Sequence, residues 1–474
     1  MGLDLDRYAT LTAAAMAQMI QRRETTSTEL VHCALAAIEA TEPAINAYSE
    51  VFAEAALGRA AQLDAEARAG RIRGPLHGVP IGVKDLFQVE GTFTRRGSRL
   101  YANDRAAQTV PVVERMLGAG AVMVGKNTTP ELGWKASSTS PLTGVTRNPW
   151  DPSRTTGGSS SGSAAAVAAG TVPISIGSDG GGSLRIPAAF CGVFSLKAHL
   201  GRIPTFPVSP AEQLSCAGPI TNSVADHALA LDVLQGPDER DPNSLPPSGV
   251  SYLAALAAPR ARLRVVLVPT LFGKPVQAEV AEVADAAFDA IRRELGIEEV
   301  RTEVAWSDPV AIFDALWVAR ASLYKELDPA KKALLDPGFA RQVELSAKLA
   351  LEDHLRALQA RARFCREVAE SFRAFDLLLV PMVPIEPFAA EAEGPAGMDP
   401  APPVPWARWT PFSHPFNVTG QPAASVPCGW TRAGLPVGLQ VVGRRFDEAA
   451  VLRFCADWER VFDWRARRPV VFAR

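Results

Sequence analysis

The sequence predicts an α/β fold, with a central sheet covered by helices on both faces. Three observations carry this. From about residue 78 onward, apolar runs of strand length alternate with helical stretches, the pattern of a sheet interleaved with helices. Apolar residues make up 47% of the 474 residues and charged residues 21%, as in an ordinary soluble enzyme. No apolar stretch reaches the roughly 18 residues of a membrane-crossing helix.

The elements follow in order. Residues about 9–70 read as helices. Thr26 and Glu29 form a capping box, and Leu30, Val31, Ala34, Leu35 and Ile38 recur on one helix face behind it. A buried strand ends at Lys84, a helix covers Val110 to Leu117, and a strand covers Ala121 to Val124. The alanine-rich stretch Ala164–Gly170 is helical and leads into a strand at 172–176. Further on come a strand over Leu263–Val268, an amphipathic helix from about Val276 to Leu295, and more helices to about 373. Asp376–Pro381 and Val437–Val442 read as buried strands, and a last helix spans about Glu448 to Val461.

The chemistry is concentrated in two glycine–serine segments. One is Gly157-Gly158-Ser159-Ser160-Ser161-Gly162-Ser163; the other runs from Gly177-Ser178-Asp179-Gly180-Gly181-Gly182-Ser183 to Leu184-Arg185-Ile186-Pro187. Glycines before a serine let backbone N–H groups turn toward a substrate oxygen, as an oxyanion hole requires. Two such serines joined by one short helix suggest a nucleophile and a second hydroxyl. A hydroxyl needs a base to take its proton. Of the six histidines, His199 and His414 fall in loops and stay open as that base. Lys84 is the other candidate, at the end of the apolar run Gly78-Val79-Pro80-Ile81-Gly82-Val83. Burial there would disfavour its ammonium form and make it a base near neutral pH. A surface lysine at a strand end is the competing reading.

Together, Gly78 through Asp85, Gly157 through Ser160 and Gly177 through Pro187 resemble the amidase signature family. The resemblance covers about 74–220, with a softer match at about 375–460. It implies a mixed sheet between helical layers as a single domain, and an amide hydrolase with a Ser–cis-Ser–Lys triad. Carried over, Ser183 is the nucleophile, Ser159 the relaying serine after a cis peptide bond, and Lys84 the base. The N–H groups of Gly180, Gly181, Gly182 and Ser183 are the oxyanion donors, and Asp179 and Arg185 orient the loop. No metal or cofactor is implied. Three departures stand out: Ser161 where the family has glycine, Gly180 where it has a threonine-like residue, and Lys197-Ala198-His199-Leu200-Gly201-Arg202 in place of Lys-Pro-Thr-x-Gly-Arg. The glycine at 180 is expected to loosen the loop or admit a bulkier acyl group.

A single domain over 1–474 is expected, because residues 84 and 183 must meet in one core and strand signals continue to the end. Within it lie a helical segment at about 1–70, the signature core at about 74–220, a variable region at about 225–375 and closing strands and helix at about 375–474. Shorter motifs compete. Gly158–Gly162 matches a nucleophile elbow centred on Ser160, but a turn-like segment, not a strand, precedes it. Gly120–Asn127 approaches a phosphate loop but lacks the closing hydroxyl. Ser322-Leu323-Tyr324-Lys325 lies in a helical stretch, and 157–163 read as a flexible linker would not run straight into a helix and strand.

A net charge of −2 gives no case for nucleic acid or an anionic membrane. Six scattered cysteines without a Cys-x-x-Cys pair read as reduced thiols. The start Met1–Asp6 lacks the basic stretch of a signal peptide, so a cytoplasmic location is expected. The expected partner is a small amide substrate, with room left for a homodimer. Rival functions are a glutamine amidotransferase subunit passing ammonia to a partner, an esterase, and a non-catalytic amide binder. Against the first, Pro411–Gly420 looks like the free-standing amidases. Trp134, Trp150, Trp317, Trp406 and Trp409 supply either an aromatic pocket or core packing.

Overall fold

The computed structural model describes residues 3–211, 213–258 and 262–473. Its centre is an eleven-stranded sheet, whose strands are numbered here in chain order: β1 (Tyr48–Val51), β2 (Pro80–Lys84), β3 (Val122–Asn127), β4 (Ile174–Asp179), β5 (Phe194–Lys197), β6 (Cys216–Thr221), β7 (Arg264–Leu267), β8 (Glu298–Glu299), β9 (Leu377–Pro381), β10 (Ala423–Trp430) and β11 (Pro436–Gly443). Across the sheet they run β1-β3-β2-β4-β6-β5-β10-β11-β9-β7-β8.

The sheet is mixed. β2 pairs in parallel with both β3 and β4, and β7 in parallel with β9 and β8. The central pairings from β4 through β11 to β9 are antiparallel. Parallel strands need cover on both faces, which is why β2 and β9 are buried at every position. Helices supply that cover. Ser161–Ala168, built of serine, glycine, alanine and valine, is wholly buried, since small side chains let it press against the sheet. One apolar cluster joins the N-terminal helices, β1 to β4 and the final helix Glu448–Val461; a second joins Phe313, Trp317 and Phe339 to Phe412 and Phe416.

The expected elements stand with shifted ends. Val110–Leu117 becomes Pro111–Gly118, Val276–Leu295 becomes Ala278–Glu294, and the last helix keeps its bounds. The helical reading of 9–70 misses β1, a four-residue edge strand between Ser27–Ile45 and Ala53–Arg68, held by antiparallel pairing to β3. The turn-like 148–154 contains a small hairpin, Arg147–Asn148 with Asp151–Thr155. The capping box is half made. Thr26 Oγ1 accepts from Glu29 N at 3.0 Å, but the Glu29 carboxylate accepts from Leu3 N and Thr25 Oγ1 instead. All six cysteines are unpaired.

A residue from another helix holds that helix start. The Asp64 carboxylate accepts from Ser27 N at 2.6 Å, Thr28 N at 3.1 Å and Thr28 Oγ1 at 2.6 Å. Replacing Asp64 by Ala should therefore lower the unfolding free energy by about 1–2 kcal/mol, the upper range for a lost cap. Urea denaturation of the two proteins checks this; an unchanged midpoint would show that the cap is dispensable.

Candidate active site

β2 and β4 are parallel neighbours, so their C-terminal ends lie at the same edge of the sheet. Lys84 closes β2 and Asp179 closes β4, and the glycine loop 180–184 follows at once. The turn 157–160 packs against the same edge. Ser160 N donates to Ser183 O at 3.2 Å, and Ser160 Oγ accepts from Ser178 N at 3.2 Å. Sheet geometry thus assembles the three segments that the sequence keeps far apart.

Lys84 is completely buried. Its Nζ lies 2.7 Å from Ser159 Oγ and 3.0 Å from both Ser160 Oγ and Ser178 Oγ. Among the described residues no carboxylate touches it. Burial holds its pKa well below the ordinary 10.5, and the more distant Asp179 charge opposes that only in part. A neutral amine offers two N–H donors and one lone pair. Ser160 gives its proton to Ser178 O at 3.1 Å, so it can only accept from Lys84. The shortest contact, to Ser159, is then the one best suited to bring an O–H to the lone pair. The Gly158–Ser159 peptide is cis. Ser183 and Ser159, both almost fully buried, line one cavity of about 400 Å³ with Ser178, Gly180, Ser215, Cys216 and Trp317.

The loop is framed from below. Asp179 and Arg185, both fully buried, form a two-pronged pair, Nε to Oδ2 and Nη2 to Oδ1, each at 2.9 Å. Burial alone would raise the Asp179 pKa. The charge and hydrogen bonds of Arg185, with Lys197 and Asn417, outweigh it and hold the carboxyl well below its usual range. Arg185 also donates to Ser413 O, Gln440 Oε1 and Asn417 Oδ1. Ser413 Oγ donates to Gly181 O at 2.6 Å.

This frame settles which loop amides are open. Gly182 N donates to Asp179 Oδ1 at 2.8 Å, so that N–H is already engaged. Among the described residues, the N–H groups of Gly180, Gly181 and Ser183 make no hydrogen bond, which leaves three of the four expected donors unengaged. Gly182 has φ of +129°, and a Cβ there would come within 2.7 Å of Ser413 Oγ. The glycine at 180 does not leave open room as expected. A Cβ would meet the Trp317 ring at 2.9 Å, so the tryptophan fills that space.

The rival residues go elsewhere. Both ring nitrogens of His199 are used: Nδ1 lies 2.7 Å from Leu200 O, and Nε2 accepts from Arg445 Nε at 3.1 Å. His414 sits against Phe313, with Nδ1 3.3 Å from Thr410 O. Burial pushes both histidines down to about 3, too weak for a base near neutral pH, and neither lines the cavity. Ser160 is a fully buried ligand of Lys84, not an elbow nucleophile. Gly120–Asn127 is the turn into β3 and the strand itself, and 157–163 is buried. Of the five tryptophans, only Trp317 lines the cavity; Trp406 packs beneath Gly181, and Trp409 stacks on Phe190. Sequence reasoning did not single out Ser160 and Ser178 as lysine ligands, nor Ser413, Asn417 and Gln440. Ser160 and Ser178 lie in the two glycine–serine segments and Ser413 and Asn417 in Pro411–Gly420, while Gln440 carried no such signal beyond its place in a strand.

The family model described as Amidase matches residues 29–452. The chain is 36% identical to a glutamyl-tRNA(Gln) amidotransferase subunit of Chloroflexus aggregans, over 98% of both chains. It is 35% identical to an acylamidase of Rhodococcus erythropolis, over 97% of both. The solved structure of 6-aminohexanoate cyclic dimer hydrolase superposes with a TM-score of 0.89 at 27% identity, over 99% of both chains.

Removing Arg185 would leave the Asp179 carboxylate buried without its counter-charge. Arg185→Met should cost about 3–5 kcal/mol of stability, read by urea unfolding. The double variant with Asp179→Asn should recover part of that loss, and equal losses in both would argue against a charge-based frame.

Proposed function

This chain belongs to the amidase signature family and is a hydrolase of amide carbon–nitrogen bonds, and on that premise we propose that it acts as a self-sufficient amidase through an acyl-enzyme on Ser183. The observation that carries the reading is Lys84, buried among three hydroxyls with, among the described residues, no carboxylate in contact. A lysine held neutral in this way accepts a proton, where a paired one would keep its own.

In the proposed sequence Ser183 Oγ attacks the amide carbonyl. Its proton passes to Ser159 Oγ as Ser159 gives its own to Lys84 Nζ. The developing oxyanion is met by N–H groups of the loop, with those of Gly180, Gly181 and Ser183 unengaged. The ammonium of Lys84 then returns a proton through Ser159 to the leaving nitrogen, and the C–N bond breaks. Water enters by the same relay and frees the carboxylate. Asp179 and Arg185 act as positioning residues beneath the loop. A cytoplasmic enzyme and a homodimer remain expectations of this reading.

A second reading has an observation of its own: relatives named as glutamyl-tRNA(Gln) amidotransferase subunits match this chain as well as the acylamidase does. Under it, glutamine would be hydrolysed efficiently only with partner proteins present. Incubating the purified chain alone with primary, aryl and alkyl amides and with glutamine, beside Ser183→Ala, separates the two. Amine or ammonia release by the wild type alone supports the self-sufficient amidase, and inactivity on every amide favours the partner-dependent reading.

The pH dependence has a definite sign. Burial lowers the Lys84 pKa, so protonation switches the base off on the acid side, and kcat/KM should rise with pH and then level. A rate falling steadily from about pH 6 to 9 would sink the assignment. Lys84→Ala should reduce kcat by about 10²–10⁴, and by more than Ser159→Ala. Loss of turnover in His199→Ala or His414→Ala, with Lys84→Ala still active, would overturn it.

A further inference from the structure

Two arginines, Arg96 and Arg320, line the cavity beside Ser183, and among the described residues no aspartate or glutamate does. Arg96 is already neutralised, with Nη1 2.7 Å from Asp104 Oδ2 and its guanidinium over the Tyr101 ring. Arg320 is not. Among the described residues it meets no carboxylate, and its one hydrogen bond is a long contact of 3.4 Å from Nη1 to Leu132 O. Its guanidinium carbon lies over Trp317, 3.9 Å from the ring centre, with Phe339 beyond at 6.0 Å. Burial draws it down to about 10, which leaves it charged at neutral pH.

Nε and Nη2 of Arg320 are shielded from solvent and have no hydrogen-bond partner. These two nitrogens share one edge of the guanidinium, the edge through which Arg185 grips Asp179 and Arg264 grips Asp376. A carboxylate fits that fork with two parallel hydrogen bonds. An unpaired charge with idle donors is costly inside a protein, and a ligand that supplies the missing anion relieves the cost. Trp317 ties the arginine to the reaction centre, since the same ring fills the space beside Gly180.

We propose that Arg320 is the specificity anchor of the cavity and that the substrates are amides bearing a carboxylate away from the scissile bond. The guanidinium turns on the face of Trp317 to present its Nε–Nη2 edge, and the carboxylate fixes the amide against the glycine loop. The proposal rests on the cavity being the amide site, but it does not depend on which residue is the nucleophile.

The test compares charged amides with uncharged isosteres. On the acyl side the pair is succinanilic acid and 4-methylpentananilide; on the amine side it is N-butyryl-β-alanine and N-(3-methylbutyl)butyramide. For the wild type, kcat/KM of the charged member of at least one pair should exceed that of its isostere by about ten- to a hundred-fold. That ratio should collapse toward unity in Arg320→Met and fall partway in Arg320→Lys, which keeps the charge but loses the fork. Dissociation constants of the same four compounds on Ser183→Ala, with and without Arg320→Met, read the anchor without turnover. A charged-ligand advantage lost with Arg320 supports the proposal even if Ser183 proves not to be the nucleophile. Equal binding within both pairs, or an equal loss for charged and neutral members in Arg320→Met, overturns it.

Discussion

A buried lysine must answer for its charge, and this protein does so in three ways. Lys126 is completed by Asp85 and carbonyl oxygens, and Lys135 by Asp336 and Glu393. Lys197 is held by the carbonyls of Ala198 and Gln421. Lys84 alone of these is surrounded by hydroxyls. The difference is chemical. A carboxylate or carbonyl can only accept, so it favours the ammonium and keeps it. A hydroxyl both gives and accepts, so it tolerates the neutral amine and can carry a proton away from it. The rest of the site depends on this placement. β2 must be buried on both faces to strip Lys84 of water, and parallel β4 must end beside it to bring Ser178 and the glycine loop within reach.

The second buried charge does the opposite work. Asp179 and Arg185 neutralise each other and stay charged, and through them the loop is tied to the far part of the chain. Asp179 takes the N–H groups of Gly182 and Leu184, while Arg185 reaches Ser413, Asn417 and Gln440. Carbonyls and amides around the loop are thus consumed by the frame. What remains unengaged at Gly180, Gly181 and Ser183 is a small, fixed set of donors. Preorganisation of that kind is the main way a protein stabilises a developing oxyanion.

The segments that bear the chemistry were legible because each is a local pattern: an apolar run ending in lysine, and glycines ahead of serines. The long buried strands and the amphipathic helix Ala278–Glu294 were legible for the same reason. β1 was not, since Tyr-Ser-Glu-Val is short, edge-placed and formed by pairing with β3 rather than by its own sequence. Asp179 aside, the partners of Arg185 were not legible either, since they lie more than 200 residues downstream. The glycine at 180 shows the limit most plainly. Read alone, a missing side chain implies space, but Trp317, over 100 residues away in sequence, occupies it.

That substitution of a distant ring for a local side chain places the proposed selectivity on a part of the chain far from the glycine loop. The groups proposed to react come from 84, 159 and 178–183, inside the span that most resembles the family. Trp317, Arg320, Tyr324 and Phe339 come from the stretch at about 225–375 that matches the family pattern least, and they line the same cavity. Relatives of nearly equal identity bear names as different as acylamidase and tRNA amidotransferase subunit, as expected if a common frame carries walls that vary. A wall residue sits outside the sheet and outside the Asp179–Arg185 frame, so exchanging it leaves the proposed proton relay standing. The chain can therefore change what it holds without rebuilding how it reacts. Among the described residues, the one uncompensated charge that lines the cavity is Arg320, and it lies on that wall.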